Sequence, residues 1–470
     1  MTKTLVAGLE KYLSKGLADH YRPLKDTLPN GLKDGSHVTV IGGGIAGSAF
    51  ARQLASLAQE HDKSIKISMV NSTNCNYCGG LITNVALDTL SQMYKLEVPD
   101  NLVLKQVDEC IYINQEGSVT VHLPHPLTAT LRTSRFGLPG FDDSIKERIT
   151  DGLSAETAAN IEIIEPTLAK KVEKNNDGKH KWRVILSKRN SDNTNMVIDT
   201  DVVVIACGFR ALKRPMLENF QHLTGYKPPQ TIPASVTEVD TSGAIYNKID
   251  NRMFILDGII KDCVVAFVPK GPKWLTLTVL NRKLEKQDIT ELFQHPEVKK
   301  YIDLPDAANS LRCHTLCSAQ VYTGASVNFY GDDWLIIGDL TGYGRILKDG
   351  YFAAFLGARL AAETLIYYGS DKRSLKKGYH KRLKHFPKDN LFGRHLFNIN
   401  KRLQNQKWFS RYFIAAARSE TDTEDGSWVH GALRALSTGE LTYRAIAVFF
   451  TLGLIRYPFR LLAGKIGRGK

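Results

Sequence analysis

Residues 37–47 read His37-Val38-Thr39-Val40-Ile41-Gly42-Gly43-Gly44-Ile45-Ala46-Gly47, and this stretch decides the fold. Its first five residues are apolar and β-branched enough for a buried parallel strand. Gly42, Gly44 and Gly47 follow in G-x-G-x-x-G spacing, and the chain continues as SAFARQLASLAQE, a helical pattern. Each glycine has a mechanical task. The first permits a tight turn, the second lets a pyrophosphate approach the backbone, and the third lets helix and strand pack closely. The helix N-terminus adds free N–H groups and a partial positive charge. A strand before the glycines and a helix after them give the motif its specificity. Gly42, Gly44, Ile45, Ala46 and Gly47 are therefore expected to bind a dinucleotide, the plainer alternative being a tight turn with no ligand. The next strand, Ile65 to Val70, ends at Asn71, where an acidic residue would usually grip the ribose. Asparagine still hydrogen-bonds a hydroxyl, without the charge assistance.

A second strand end and helix start lie nearly three hundred residues later. Trp334-Leu335-Ile336-Ile337 runs into Gly338-Asp339, then a loop with Gly342, Gly344 and Arg345, then Lys348-Asp349-Gly350 and the helical YFAAFLGARLAAETLIYYG. Backbone N–H groups there can face the same ligand from its other side, and an aspartate at the strand end can accept bonds from polyol hydroxyls.

The pairing of these two motifs resembles the flavoprotein group that contains geranylgeranyl reductases and aromatic hydroxylases. The resemblance implies FAD, with Asp339 on the ribityl chain and Gly338, Lys348, Asp349 and Gly350 close to the flavin. Residues 75–80, Cys75-Asn-Tyr-Cys78-Gly79-Gly80, are similar to the Cys-Gly-Gly segment of geranylgeranyl reductases. That implies Cys78 at the reacting face of the flavin, flanked by Gly79 and Gly80. Reduction of a C=C bond needs a hydride from flavin N5 and a proton at the other carbon, and Cys78 is the candidate for delivering it. Read without the resemblance, Cys75 and Cys78 leave three alternatives: a redox dithiol, a zinc site shared with Cys313 and Cys317, or two packed residues. No metal is expected. Arg135, in a loop with Arg132 and Phe136, is expected to approach the cofactor. No second G-x-G-x-x-G occurs, so NAD(P)H or another donor would visit the flavin without a domain of its own.

The remaining sequence sets the architecture. An apolar fraction of 43% and a charged fraction of 23% over 470 residues suit a globular chain of two or three units. Runs at Ala234 to Val239, Cys263 to Pro269 and Leu275 to Leu280 alternate as antiparallel strands do. The expected fold class is α/β: a Rossmann-like FAD-binding domain (35–214 and 331–370), an inserted, mostly antiparallel substrate-side sheet (215–330), an N-terminal amphipathic segment (1–34) and a helical tail (371–470).

Residues 371–470 hold 21 Lys/Arg and 7 Asp/Glu, so the tail carries the whole net charge of +14. Within it, Ala445 to Ile455 is an apolar run of eleven that covers about 16 Å as a helix, roughly half a bilayer core. A basic, aromatic-flanked segment of this length is expected to lie in a membrane interface at the cytoplasmic face, or else to pack on the body. Nucleic acid is not an expected partner, since no recognition module accompanies the charge. Seven cysteines form no secreted framework. Cys110, Cys207 and Cys263 are expected to be structural. The expected function is an FAD-dependent oxidoreductase, peripheral at the membrane, reducing C=C bonds of an isoprenoid or lipid-like substrate. The alternatives are a flavin monooxygenase hydroxylating an apolar substrate, and a flavin-binding membrane-docked protein without turnover.

Overall fold

A parallel sheet forms because its central strands are buried on both faces. Its members are β1 (His37–Ile41), β2 (Lys66–Val70), β8 (Ile161–Ile164), β12 (Val202–Ile205), β18 (Tyr330–Gly331) and β19 (Trp334–Ile336), in the order β18-β19-β12-β1-β2-β8. Only the β18–β19 pairing is antiparallel. The structure, a computed structural model, describes residues 23–24, 28–72, 80–123, 128–131, 139–175, 178–188, 195–242, 251–271, 273–311, 316–347, 349–420 and 428–467. Helix α1 (Ile45–Glu60) crosses from β1 to β2, and α2 (Gly350–Tyr367) packs against it. Both are rich in buried alanine, which lets the two backbones approach.

Two three-stranded sheets flank this core. One orders β3 (Leu81–Thr83), β7 (Thr128–Leu131) and β4 (Val103–Val107) as β3-β7-β4. The other orders β9 (Thr167–Lys174), β10 (Trp182–Lys188) and β11 (Asn195–Thr200) as β11-β10-β9.

The fourth sheet has seven strands in the order β17-β13-β16-β15-β14-β5-β6: β5 (Glu109–Asn114), β6 (Gly117–His122), β13 (Thr231–Asp240), β14 (Arg252–Asp257), β15 (Val264–Lys270), β16 (Trp274–Leu280) and β17 (Cys317–Tyr322). All neighbours are antiparallel except β14 and β5, which run parallel with Met253 opposite Cys110. The hairpin β5–β6 thus joins the seven-stranded sheet from residues 109–122, upstream of the stretch 215–330 that supplies the other strands. One face of this sheet buries Val265, Phe267, Leu277 and Val279 against Ile289 and Phe293 of the helix Lys286–Gln294. Its other face is left for a cavity.

The tail is helical, and much of it is packed. Its main helices are α3 (His385–Leu403), α4 (Lys407–Arg418), α5 (Trp428–Thr438) and α6 (Tyr443–Gly467). In the apolar run of α6, Ala445, Ile446 and Phe449 are buried, and the Phe449 ring meets Trp428 edge-on at 5.2 Å. One side of that run therefore belongs to the protein core, and only the other side faces out. Among the described residues, no helix is long and apolar enough to cross a membrane. Cys110 and Cys263 are buried in the cores, as expected for structural thiols.

A buried carboxylate ties α3 to the large sheet. Asp257 on β14 accepts from the Tyr112 hydroxyl on β5 and, at 2.8 Å, from Asn400 Nδ2 on α3. Burial pushes the Asp257 carboxyl up to about 6, although both donors favour its charged form. A raised carboxyl in the folded state means stability declines as pH rises from the unfolded value of 3.8 through about 6. Removing one donor should deepen that decline. Asn400→Ala is expected to cost about 1–3 kcal/mol at neutral pH and clearly less at pH ~4, where Asp257 is protonated in both proteins. Denaturant melts at the two pH values check this.

Candidate cofactor and active site

Register makes the site. Ile41 of β1 lies opposite Val70 of β2 and Ile205 of β12, and Ile205 lies opposite Ile336 of β19. Four strands therefore end on one line, and their following residues, Gly42, Asn71, Ala206 and Ile337-Gly338, leave at one edge. That is the edge where open α/β sheets bind ligands. A cavity of about 1680 Å³ opens there and reaches the free face of the seven-stranded sheet. Single small-molecule pockets run to roughly 300–1,000 Å³, so this one has room for a dinucleotide and a second molecule.

The glycines divide as their spacing requires. Gly42 has φ +119°, and a Cβ there would lie 2.5 Å from the Ala206 carbonyl. A Cβ on Gly47 would lie 1.9 Å from the Gly42 oxygen, so only glycine lets α1 start so close to β1. Gly44 is different. Its backbone is extended (φ −76°, ψ −171°), and a Cβ would meet nothing within 4 Å. That space is part of the cavity, which Ile45 and Ala46 also line.

Asn71 lines the cavity too. Its Nδ2 donates to Glu165 Oε2 at 2.8 Å, and Lys146 holds the same oxygen at 2.9 Å. A carboxylate thus stands beside the end of β2, supplied from just after β8, 94 residues on.

Across the sheet edge, Gly338, Asp339, Asp349 and Gly350 line the same cavity. The Asp339 carboxylate has no side-chain partner among the described residues. It is open to the cavity yet enclosed by protein, and this removal from bulk water pushes it up to about 6. Gly350, like Gly44, opens into free space.

Arg345, overlooked in the sequence beyond its place in a loop, also borders this region. Its Nη1 donates to Asp349 Oδ2 at 2.9 Å, with side chains 1% and 4% exposed. Burial lowers the guanidinium, but Asp349, Tyr443 and Asp389 outweigh it and hold it above its usual value. The tail covers this pair. The Tyr443 ring lies 4.7 Å from the guanidinium carbon, and a Cβ on Gly439 would sit 2.6 Å from Asp349. In the turn that joins the two charges, Leu347 and Asp349 itself adopt left-handed backbone (φ +66° and +60°), a strain of about 1–3 kcal/mol each. Asn390 of α3 holds the turn in place: its Oδ1 accepts from Ile346 N at 3.1 Å, and its Nδ2 donates to the Gly344 carbonyl at 2.8 Å.

Of the remaining site residues expected from sequence, Gly80 has φ +72° and adjoins Leu81, which lines the cavity. Cys207 lines it as well, but burial pushes its thiol to about 12, so it stays protonated and is a poor nucleophile. Cys75, Cys78, Gly79, Arg132, Arg135, Phe136, Cys313 and Lys348 lie outside the described residues. No cluster of metal-ligating side chains occurs among the described residues.

No protein-family model matches the chain, and no curated protein matches its sequence. Solved structures do match its fold. A geranylgeranyl bacteriochlorophyll reductase-like protein from Thermoplasma acidophilum aligns with a TM-score of 0.58 at 13% identity, over 86% of this chain and 97% of that one. A variant of the halogenase PltM, solved in complex with FAD, aligns with a TM-score of 0.56 at 12% identity, over 91% and 92%. The probable FAD-dependent monooxygenase pqsL from Pseudomonas aeruginosa gives 0.54 at 14%, over 80% and 99%. The chain has the fold of the FAD-dependent reductases, monooxygenases and halogenases.

In this flavoprotein fold the residues present fit FAD on their own geometry. Gly44 leaves the space a pyrophosphate needs, Asp339 offers an unpartnered carboxylate to a polyol, and Gly350 leaves the start of α2 open. Two glycine substitutions separate fold from binding. Gly47→Ala should destabilise the protein by about 3 kcal/mol or more, since backbone must move. Gly44→Ala should leave the melting temperature nearly unchanged while weakening FAD uptake by roughly tenfold or more, as one methyl group enters a fitted contact. Thermal melts and flavin fluorescence titrations distinguish them. Hydroxyl donors favour the ionised Asp339, so binding lowers its carboxyl. FAD affinity should thus fall as pH drops below about 6, approaching tenfold per pH unit. Asp339→Asn should bind FAD more weakly and lose that pH dependence.

Proposed function

We propose that the protein is an FAD-dependent oxidoreductase that reduces a carbon–carbon double bond in an isoprenoid or similar lipid-like substrate. The observation that carries this reading is the cavity's second wall. Val236, Val264, Ala266, Val268, Thr278 and Leu280 lie at alternate positions of β13, β15 and β16 and line the cavity opposite the glycine loop. Apart from one threonine, these are aliphatic side chains, and they favour a long hydrocarbon over a polar or charged substrate.

Bound FAD would supply the hydride from N5 once reduced. The chain's own residues do the rest. Gly44 and the start of α1 hold the pyrophosphate, Asp339 orients the ribityl chain, and the aliphatic wall excludes water and aligns the alkene. The proton for the second carbon is assigned to Cys78, on the strength of its Cys-Gly-Gly context. With no second glycine-rich strand–helix motif in the sequence, NAD(P)H is the proposed donor and visits the cavity transiently.

The deciding experiment has two arms, one anaerobic and one with O₂ admitted. Protein holding reduced FAD is mixed with an isoprenoid alkene, and flavin reoxidation is followed by absorbance together with the saturated product. Reoxidation coupled to saturation supports a reductase. Substrate hydroxylation that requires O₂ overturns it in favour of a monooxygenase, and tight FAD that no donor reduces overturns turnover altogether. Ala266→Trp fills the aliphatic wall away from the glycine loop. It should lower kcat/KM for the alkene by roughly tenfold or more while FAD content stays at the wild-type level.

A further inference from the structure

Three neighbouring tail helices each carry an exposed stripe that nothing in the described chain covers. On α3, Lys388, Leu391, Phe392, His395, Ile399 and Arg402 are all exposed and recur every three or four residues, which places them on one side of the helix. On α6, Arg444, Thr451, Ile455 and Phe459 form a matching exposed stripe. Trp408 opens α4 and is 64% exposed, and Phe459 is 66% exposed. These helices are neighbours. A Cβ on Gly393 of α3 would lie 2.7 Å from the Tyr443 ring of α6. From α4, the Tyr412 hydroxyl donates to the Leu454 carbonyl of α6 at 2.6 Å.

The composition of this face is one-sided. Helices α3, α4 and α6 contain eleven Lys/Arg and a single acidic residue, Asp389. That carboxylate is occupied, accepting from Tyr443 N and Arg444 N at the start of α6. The three exposed large aromatics of the described chain, Phe392, Trp408 and Phe459, all lie here. Arg411 is paired with Glu116 at 2.6 Å, but bulky apolar groups set among the exposed Lys388, Arg402, Lys407 and Arg444 match an anionic bilayer, whose headgroups neutralise the charge while its interface takes the rings. A phosphate-bearing nucleic acid would account for the cations but not for Leu391, Ile399 and Ile455.

We propose that the outer face of α3, α4 and α6 docks the protein on anionic phospholipid membranes, with Phe392, Trp408 and Phe459 entering the interface. The inference rests on this surface and not on the proposed reaction, so the two can fail separately.

The test is co-sedimentation of the full-length chain with vesicles of phosphatidylcholine alone and of phosphatidylcholine with phosphatidylserine. Binding is expected only to the anionic vesicles, weakening as salt is raised. The triple variant Phe392→Ser, Trp408→Ser, Phe459→Ser should bind at least roughly tenfold more weakly. Lys388→Glu, Arg402→Glu and Lys407→Glu should each cost roughly fivefold or more. Equal binding to both vesicle types, or a triple variant that binds as the wild type does while keeping its melting temperature, overturns the proposal. So does a wild-type dimer in gel filtration that the triple variant converts to monomer, since that would assign the face to a second copy of the chain.

Discussion

The Gly42 carbonyl oxygen sits 1.9 Å from where a Cβ on residue 47 would be, and much of the cofactor site follows from that contact. It brings the first turn of α1 against the end of β1, so the helix N-terminus faces the sheet edge rather than solvent. Because β1 lies between β2 and β12 with no offset at their ends, the same edge collects Asn71, Ala206 and Asp339 from distant parts of the chain. Two glycines with opposite needs stand three residues apart: Gly47 has no room for a side chain, and Gly44 has room that the cavity uses.

The cavity is built from unlike walls. The parallel sheet offers backbone N–H groups, a carboxylate and a buried ion pair, all suited to phosphates and hydroxyls. The seven-stranded sheet offers alternating small aliphatic residues. Its opposite face is sealed by Phe267, Ile289 and Phe293, so the strands have one dry face in the core and one available to a ligand. One cavity thus has a polar end and an apolar end, the apolar one set by strand periodicity.

Much of this was legible in the sequence, because the dinucleotide motif and the Gly338-Asp339 strand end are local signals: strand, turn glycine and helix start sit next to each other in the chain. The antiparallel wall was legible as alternation in residues 234–239, 263–269 and 275–280. What escaped were partnerships between residues distant in sequence. Nothing local marks Glu165 as the carboxylate beside Asn71, or β5 as the parallel neighbour of β14. Arg345 reads as one more loop arginine until Asp349, Gly439 and Tyr443 close around it. In α6, sequence shows an eleven-residue, mostly apolar run but not that Ala445, Ile446 and Phe449 turn inward, since its hydrophobicity is nearly even around the helix.

The clasp of Gly439 and Tyr443 over Arg345 and Asp349 has a consequence for the order of assembly. The glycine-rich turn emerges first from the ribosome, but the strained Leu347 and Asp349 gain their last supports only when residue 443 has been made. Until then a buried-to-be arginine and aspartate stand in water and the left-handed turn has little to hold it. The cofactor site is therefore among the last parts of this protein to mature, and its finished shape reports that the whole chain, tail included, has folded.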